Sequence, residues 1–72
     1  MQAERDVIAL VGSVDRSTRD IVVQILAEAG IEARVEGGSI VYGISAPRNK
    51  AAEAKRLLQT DPRLKDRWIQ FR

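Results

Sequence analysis

Apolar residues along the chain recur with two kinds of spacing, one typical of strands and one typical of helices. Residues 7–11 form a continuous apolar run that ends at Gly12 and Ser13, which indicates a short strand covered on both faces. Beyond it, apolar side chains return every three or four positions and predict one stripe along a helix: Thr18, Ile21, Val22, Ile25, Leu26 and Ala29. Ser17 is predicted to cap this helix, and Gly30 to end it with left-handed backbone.

The pattern then changes to strict alternation. In residues 31–36 the apolar positions 31, 33 and 35 alternate with charged ones, which predicts a half-buried edge strand. Gly37 and Gly38 favour a tight hairpin turn, and residues 39–45 are predicted to return as a third strand.

A second, narrower helical stripe follows. Pro47 suits the first turn of a helix, where the missing N–H of proline costs nothing. The apolar positions of this helix are Ala51, Ala54, Leu57 and Leu58. Asp61 and Pro62 should stop it, residues 62–66 should add one further turn, and residues 68–71 should form a short final strand.

These elements make two strand–helix–strand units in series, the layout of a ferredoxin-like α+β domain. We therefore predict one βαββαβ domain over residues 1–72, with the first and third strands central in a four-stranded antiparallel sheet and both helices on one face. The alternative is a swapped or three-stranded arrangement in which residues 68–71 are not a strand.

Composition narrows the possible chemistry. The 72-residue chain has no cysteine and no histidine, so disulfides, zinc fingers and histidine acid–base catalysis are excluded. The acidic residues lie at helix caps or in alternating charge patterns, and we expect no catalytic residues, no metal site and no cofactor. No apolar run approaches the roughly 20 residues that span a bilayer, and there is no signal pattern, so we expect a soluble, cytoplasmic protein without a membrane partner.

One turn offers a candidate ligand site. Gly12 and Ser13 connect a strand to a helix start, and Ser17 lies in that start, a place where backbone N–H groups can hold a small anion. The phosphate-loop and dinucleotide patterns are both absent. The alternative is a strand-to-helix turn with a capping serine.

The formal net charge is +2, and the last third of the chain is the more basic part. There the basic residues Arg48, Lys50, Lys55, Arg56, Arg63, Lys65, Arg67 and Arg72 oppose Glu53, Asp61 and Asp66. Such a stretch can bind nucleic acid, but Tyr42 is the one aromatic residue on the two central strands, too little for a base-stacking platform. A solvated helix face is the better interpretation, and we do not expect nucleic acid as a partner.

The segment Leu26-Ala27-Glu28-Ala29-Gly30-Ile31-Glu32-Ala33, followed by Ala54-Lys55-Arg56-Leu57-Leu58, resembles a family of small bacterial domains described only as signal-transducing proteins. The resemblance covers roughly residues 7 to 59 and implies a ferredoxin-like fold and a regulatory role. The ring-building domains of secretion-system lipoproteins are similar as well, although this chain has no cysteine that could carry a lipid. Neither family supplies catalytic residues.

The function expected from the sequence is therefore a small regulatory or adaptor domain that acts through protein contacts or self-association. Two helices cover one face of a sheet, so the other face should be open to a partner, and an exposed apolar patch there would mark an interface. The candidate interface residues are Ile8, Leu10, Tyr42 and Trp68. A small anion at the turn of Gly12, Ser13 and Ser17, or nucleic acid on the basic last third, is the alternative.

Overall fold

The computed structural model describes residues 7–37, 40–67 and 69–71. Its strands are β1 (Val7–Val14), β2 (Arg34–Gly37), β3 (Tyr42–Pro47) and β4 (Gln70–Phe71), and its α-helices are α1 (Arg16–Glu28) and α2 (Ala51–Thr60). Two short 3-10 turns, Arg48–Lys50 and Pro62–Leu64, precede and follow α2. Within these ranges neither helix has the length and apolar character needed to cross a membrane.

The strands form one four-stranded sheet in the order β2-β3-β1-β4, and every neighbouring pair is antiparallel. The first and third strands are central, as the sequence predicts, and the α+β ferredoxin-like prediction is confirmed. Helices α1 and α2 contact each other and the central strands. They thus share one face of the sheet, which we call the covered face.

Helix α1 begins two residues earlier than the stripe of apolar positions implies. Its cap is Asp15, whose Oδ1 accepts the backbone N–H of Thr18 at 2.8 Å. The prediction that Ser17 caps the helix is wrong, because Ser17 already lies in the first turn and is too late in the chain to reach an unpaired N–H from outside. The end of α1 agrees with the prediction: Gly30 has a φ of 76°, the left-handed backbone that glycine adopts most easily.

The second helix begins later than predicted. Pro47 is the last residue of β3, with extended backbone, and the 3-10 turn Arg48–Lys50 separates it from α2. The end was predicted correctly. Asp61 has extended backbone and caps the following turn, where its Oδ1 accepts the N–H of Arg63 at 2.8 Å.

Both strands of the β2–β3 hairpin begin three residues later than predicted, and they end one residue later in β2 and two residues later in β3. Gly37, which ends β2, lies so close to the start of β3 that a Cβ there would be 2.6 Å from the carbonyl oxygen of Val41, the residue before that strand. Gly38 and Ser39, predicted to complete the turn and begin the third strand, lie outside the described residues. The predicted fourth strand is reduced to Gln70–Phe71, and Trp68 also lies outside the described residues.

Strand β1 contains two irregularities against β3. Ala9 pairs with Ser45 and Val11 with Ile44, so Leu10 is an extra residue, and a second shift lies between Val11 and Val14. Such bulges place two residues opposite one and interrupt the alternation of faces. Ser13, inside the second bulge, has a φ of 60°.

The core lies between the covered face and the two helices. It combines residues from both strand–helix–strand units: Leu10, Val11, Val14, Val22, Ile25, Leu26, Ile31, Ile44, Ala46, Ala54, Leu58 and Leu64. Of the predicted helix stripes, Thr18, Val22, Ile25, Leu26, Ala54 and Leu58 are buried. Ile21, Ala51 and Leu57 pack at the margin, and Ala29 is exposed.

Candidate protein-contact surface

The pairing of β1 with β3 determines which side chains face the helices. Ile44 and Ala46 are two residues apart on β3 and both are buried, at 1% and 0% exposure, so they mark the covered face. Directly paired residues share a face. Ile8 is paired with Ala46, and Val11 with Ile44, and therefore both also lie on the covered face.

This placement differs from the expectation for three of the proposed interface residues. Leu10 has 0% exposure, because the bulge between Ala9 and Val11 turns it into the core. Ile8 is half-buried beside Ala46. Tyr42 lies two residues before Ile44, so it shares the covered face, and the guanidinium carbon of Arg19 in α1 lies 4.5 Å from its ring centroid. On the described chain these three side chains are not on the open face of the sheet.

The open face instead carries mainly small and charged residues, with the half-buried Val7 and Pro47 at one end. Ala9 on β1 pairs with Ser45 on β3, which in turn pairs with Arg34 on β2. One step along, Glu36 pairs with Gly43. Such a row of small and ionic side chains lacks the contiguous apolar area that marks a protein-binding face.

The apolar exposure lies at the β2–β3 hairpin. Among the described residues, the large hydrophobic side chains with high exposure are Val35 at 41%, Ile40 at 78% and Val41 at 48%. All belong to β2 or to the connection that enters β3. We call these three residues, with the free edge of β2, the hairpin surface. Sequence reasoning missed it because Ile40 and Val41 were assigned to a paired strand, although two apolar residues directly after a glycine-rich turn were a usable signal.

The turn proposed to bind an anion already contains a negatively charged group of the protein, the carboxylate of Asp15. Gly12 is buried, Ser13 and Ser17 are exposed, and the Asp15 carboxylate lies at the helix start between them. Hydrogen bonds from Thr18 lower the pKa of Asp15, with a smaller contribution from the nearby Arg67. A carboxylate that is ionised and already bonded to a helix N–H repels a second anion, so this geometry does not favour the anion hypothesis.

Two of the basic residues near the C-terminus bind groups of the protein itself. Arg67 donates from Nη1 to the Ser17 hydroxyl at 2.8 Å and to the Thr18 hydroxyl at 3.1 Å. Arg63 makes two bonds to the Glu28 carboxylate, at 2.8 and 3.1 Å, and its side chain also binds Asp61. The cations that would contact a phosphate backbone are thus partly used to join the end of α2 to α1.

A groove of about 440 Å³ lies between the end of α2, the turn Pro62–Leu64 and β4. Its apolar lining includes Leu58, Leu64, Ile69 and Phe71, and its polar lining includes Asp61, Lys65 and Arg67. The sequence did not indicate this groove, because it is formed where two short, irregular segments meet.

Among the residues that the structure describes, no group of three acidic side chains is placed to hold a metal ion. Comparison of the chain with protein-family models, with curated proteins and with solved structures finds no match. The geometry of the surface is therefore what bears on function.

Proposed function

We propose that the chain is a small non-catalytic regulatory or adaptor domain, and that it acts by protein contacts made through the hairpin surface. The single observation that carries this proposal is the concentration of exposed apolar side chains there: Ile40 is 78% exposed on a chain of 72 residues. Exposed apolar groups grouped beside an unpaired strand edge are typical of protein-binding sites.

The hairpin replaces the open sheet face as the contact surface because of the residues that each presents. On the open face, Ala9, Ser45 and Gly43 lie beside the charged residues of β2, and Ser45 is itself only 8% exposed. The hairpin offers three β-branched side chains to a partner, those of Val35, Ile40 and Val41. Burial of apolar area stabilises a complex by roughly 25 cal/mol per Å². The hairpin surface is thus the better source of binding free energy.

A regulatory role in the cytoplasm completes the proposal. The absence of cysteine suits a reducing compartment, and the resemblance of residues 26–33 and 54–58 to small bacterial signal-transducing domains implies a role of this kind. Nucleic acid is a weaker candidate because Tyr42, the aromatic residue of the central strands, packs beneath Arg19 on the covered face.

Site-specific photo-crosslinking in cells tests the proposal. The photoreactive residue p-benzoylphenylalanine is placed at Ile40, and a matched variant carries it at Ala52, an exposed position on α2. We expect protein adducts of defined mass at position 40 and few at position 52. No adduct at position 40, or the same adducts at both positions, would contradict a contact role for the hairpin.

A further inference from the structure

Strand β2 lies at one edge of the sheet, with β3 on one side and no strand of the described chain on the other. All of its residues, Arg34–Gly37, are exposed. An edge strand presents unpaired N–H and C=O groups that can pair with another strand, and proteins commonly guard such edges with charges. What distinguishes β2 is how its charges are arranged.

The charges of β2 are symmetric in position and opposite in sign about Val35. Arg34 precedes Val35 and Glu36 follows it, and both charged residues lie on the open face through their pairing with Ser45 and Gly43. Val35 pairs with Ile44, so it lies on the covered face, with 41% exposure at its margin. The Arg34 Nε and Glu36 Oε2 atoms are 3.9 Å apart, a long ion pair within the strand that is not a hydrogen bond, so closer ion pairs with a partner strand could replace it.

A two-fold axis through Val35 makes this strand complementary to itself. Antiparallel pairing of β2 with β2 of a second copy in that register places Arg34 opposite Glu36 of the other copy, twice, and Val35 opposite Val35. Registers centred on Arg34 or on Glu36 place like charges opposite each other, which destabilises a strand pair. The charges therefore select one register among those that keep the faces of the two sheets continuous.

From this complementarity we infer that the occupant of the β2 edge is a second copy of this chain, joined in an isologous dimer whose two sheets form one eight-stranded sheet. The inference rests on the proposed contact role of the hairpin surface and names its partner. Four exposed residues per copy bury little area, so the dimer forms at high micromolar to millimolar concentration.

Charge exchange tests the register. Arg34→Glu places Glu opposite Glu, and Glu36→Arg places Arg opposite Arg, so each variant alone should dimerise about tenfold more weakly than the natural chain. An equimolar mixture of the two variants restores opposite charges across the axis, as does the double variant Arg34→Glu with Glu36→Arg. We expect both to recover the natural dissociation constant within about threefold. Analytical ultracentrifugation over a wide concentration range measures all of these species.

Arg56→Glu, an equal change of charge at an exposed position of α2, is the matched control and should leave the dissociation constant unchanged. Circular dichroism and amide NMR spectra establish that each variant is folded. A natural chain that is monomeric at millimolar concentration would overturn the inference, and so would a dimer indifferent to both single exchanges. If the chain is monomeric but position 40 still crosslinks to another protein, the dimer fails while the proposed function stands; if neither occurs, both fail.

Discussion

Ser13 has left-handed backbone, which residues other than glycine, asparagine and aspartate seldom adopt. Its φ of 60° arises because the second bulge of β1 must fit the three residues that follow Val11 against two residues of β3. Left-handed backbone costs a non-glycine residue roughly 1–2 kcal/mol.

Substitution of Ser13 should reveal this backbone strain. We expect Ser13→Gly to raise the free energy of unfolding by up to about 1 kcal/mol, because relief of strain exceeds the added entropy of the unfolded chain, and Ser13→Val to lower it by more than about 1 kcal/mol. Urea denaturation measures both. Ala27→Gly, at an exposed position in the regular backbone of α1, is the control and should be destabilising. If valine at position 13 were as stable as glycine, the left-handed assignment would be incorrect.

At the scale of elements, the parts of the fold that follow a regular period were predictable from the sequence. The stripe of Val22, Ile25 and Leu26 gave α1 its buried face, and Gly30 gave its end. No sequence signal predicts the bulges of β1. The whole run around Leu10 is apolar, so the pattern looks the same whether Leu10 points to one face of the sheet or to the other. The candidate interface was assigned from alternation along β1 and β3. The bulge turns Leu10 into the core, whereas Ile8 and Tyr42 lie on the covered face through the register of the two strands.

The end of α2 is joined to α1 by Arg63, which binds Glu28 and Asp61 together. Hydrogen bonds from Arg63 lower the pKa of Glu28 and of Asp61. A carboxylate whose pKa is lowered by folding stabilises the protein above its unfolded pKa, about 4, and loses that contribution as the pH falls through the folded value. The pairs are partly exposed, so solvent weakens the effect without changing its sign.

Removal of Arg63 should therefore change how stability depends on pH. We expect Arg63→Gln to be less stable than the natural chain at pH 7, with the difference shrinking steadily as the pH falls below about 5 and through the lowered pKa values of the two carboxylates. Urea denaturation at a series of pH values gives the two curves. The control Arg56→Gln, at an exposed site of α2, should run parallel to the natural chain. A constant difference for Arg63→Gln at every pH would show that its role is packing and not ion pairing.

At the scale of the whole molecule, the two strand–helix–strand units share a single core. Leu26 of α1 and Leu58 of α2 are exposed by 0% and 2%, and both belong to the cluster that includes Ile44 and Leu10 of the central strands. Strand β1 of the first unit lies between β3 and β4 of the second. Neither unit can thus bury its apolar side chains without the other, and the domain should unfold in one step.

Truncation of one leucine in each unit tests this cooperativity. Leu26→Ala and Leu58→Ala should each lower the free energy of unfolding by about 2–5 kcal/mol, since each leaves a cavity in the same core. This is a large part of the roughly 4–11 kcal/mol expected for a domain of this size. The denaturant slope should stay unchanged, and hydrogen exchange in Leu26→Ala should quicken as much at the amides of α2 as at those of α1. Gln24→Ala, on the exposed side of α1, should change stability by less than about 0.5 kcal/mol. Faster hydrogen exchange confined to α1 would mean that the two units fold separately. Equally faster exchange in α1 and α2 means that the domain, and with it the hairpin surface, folds as a whole or not at all.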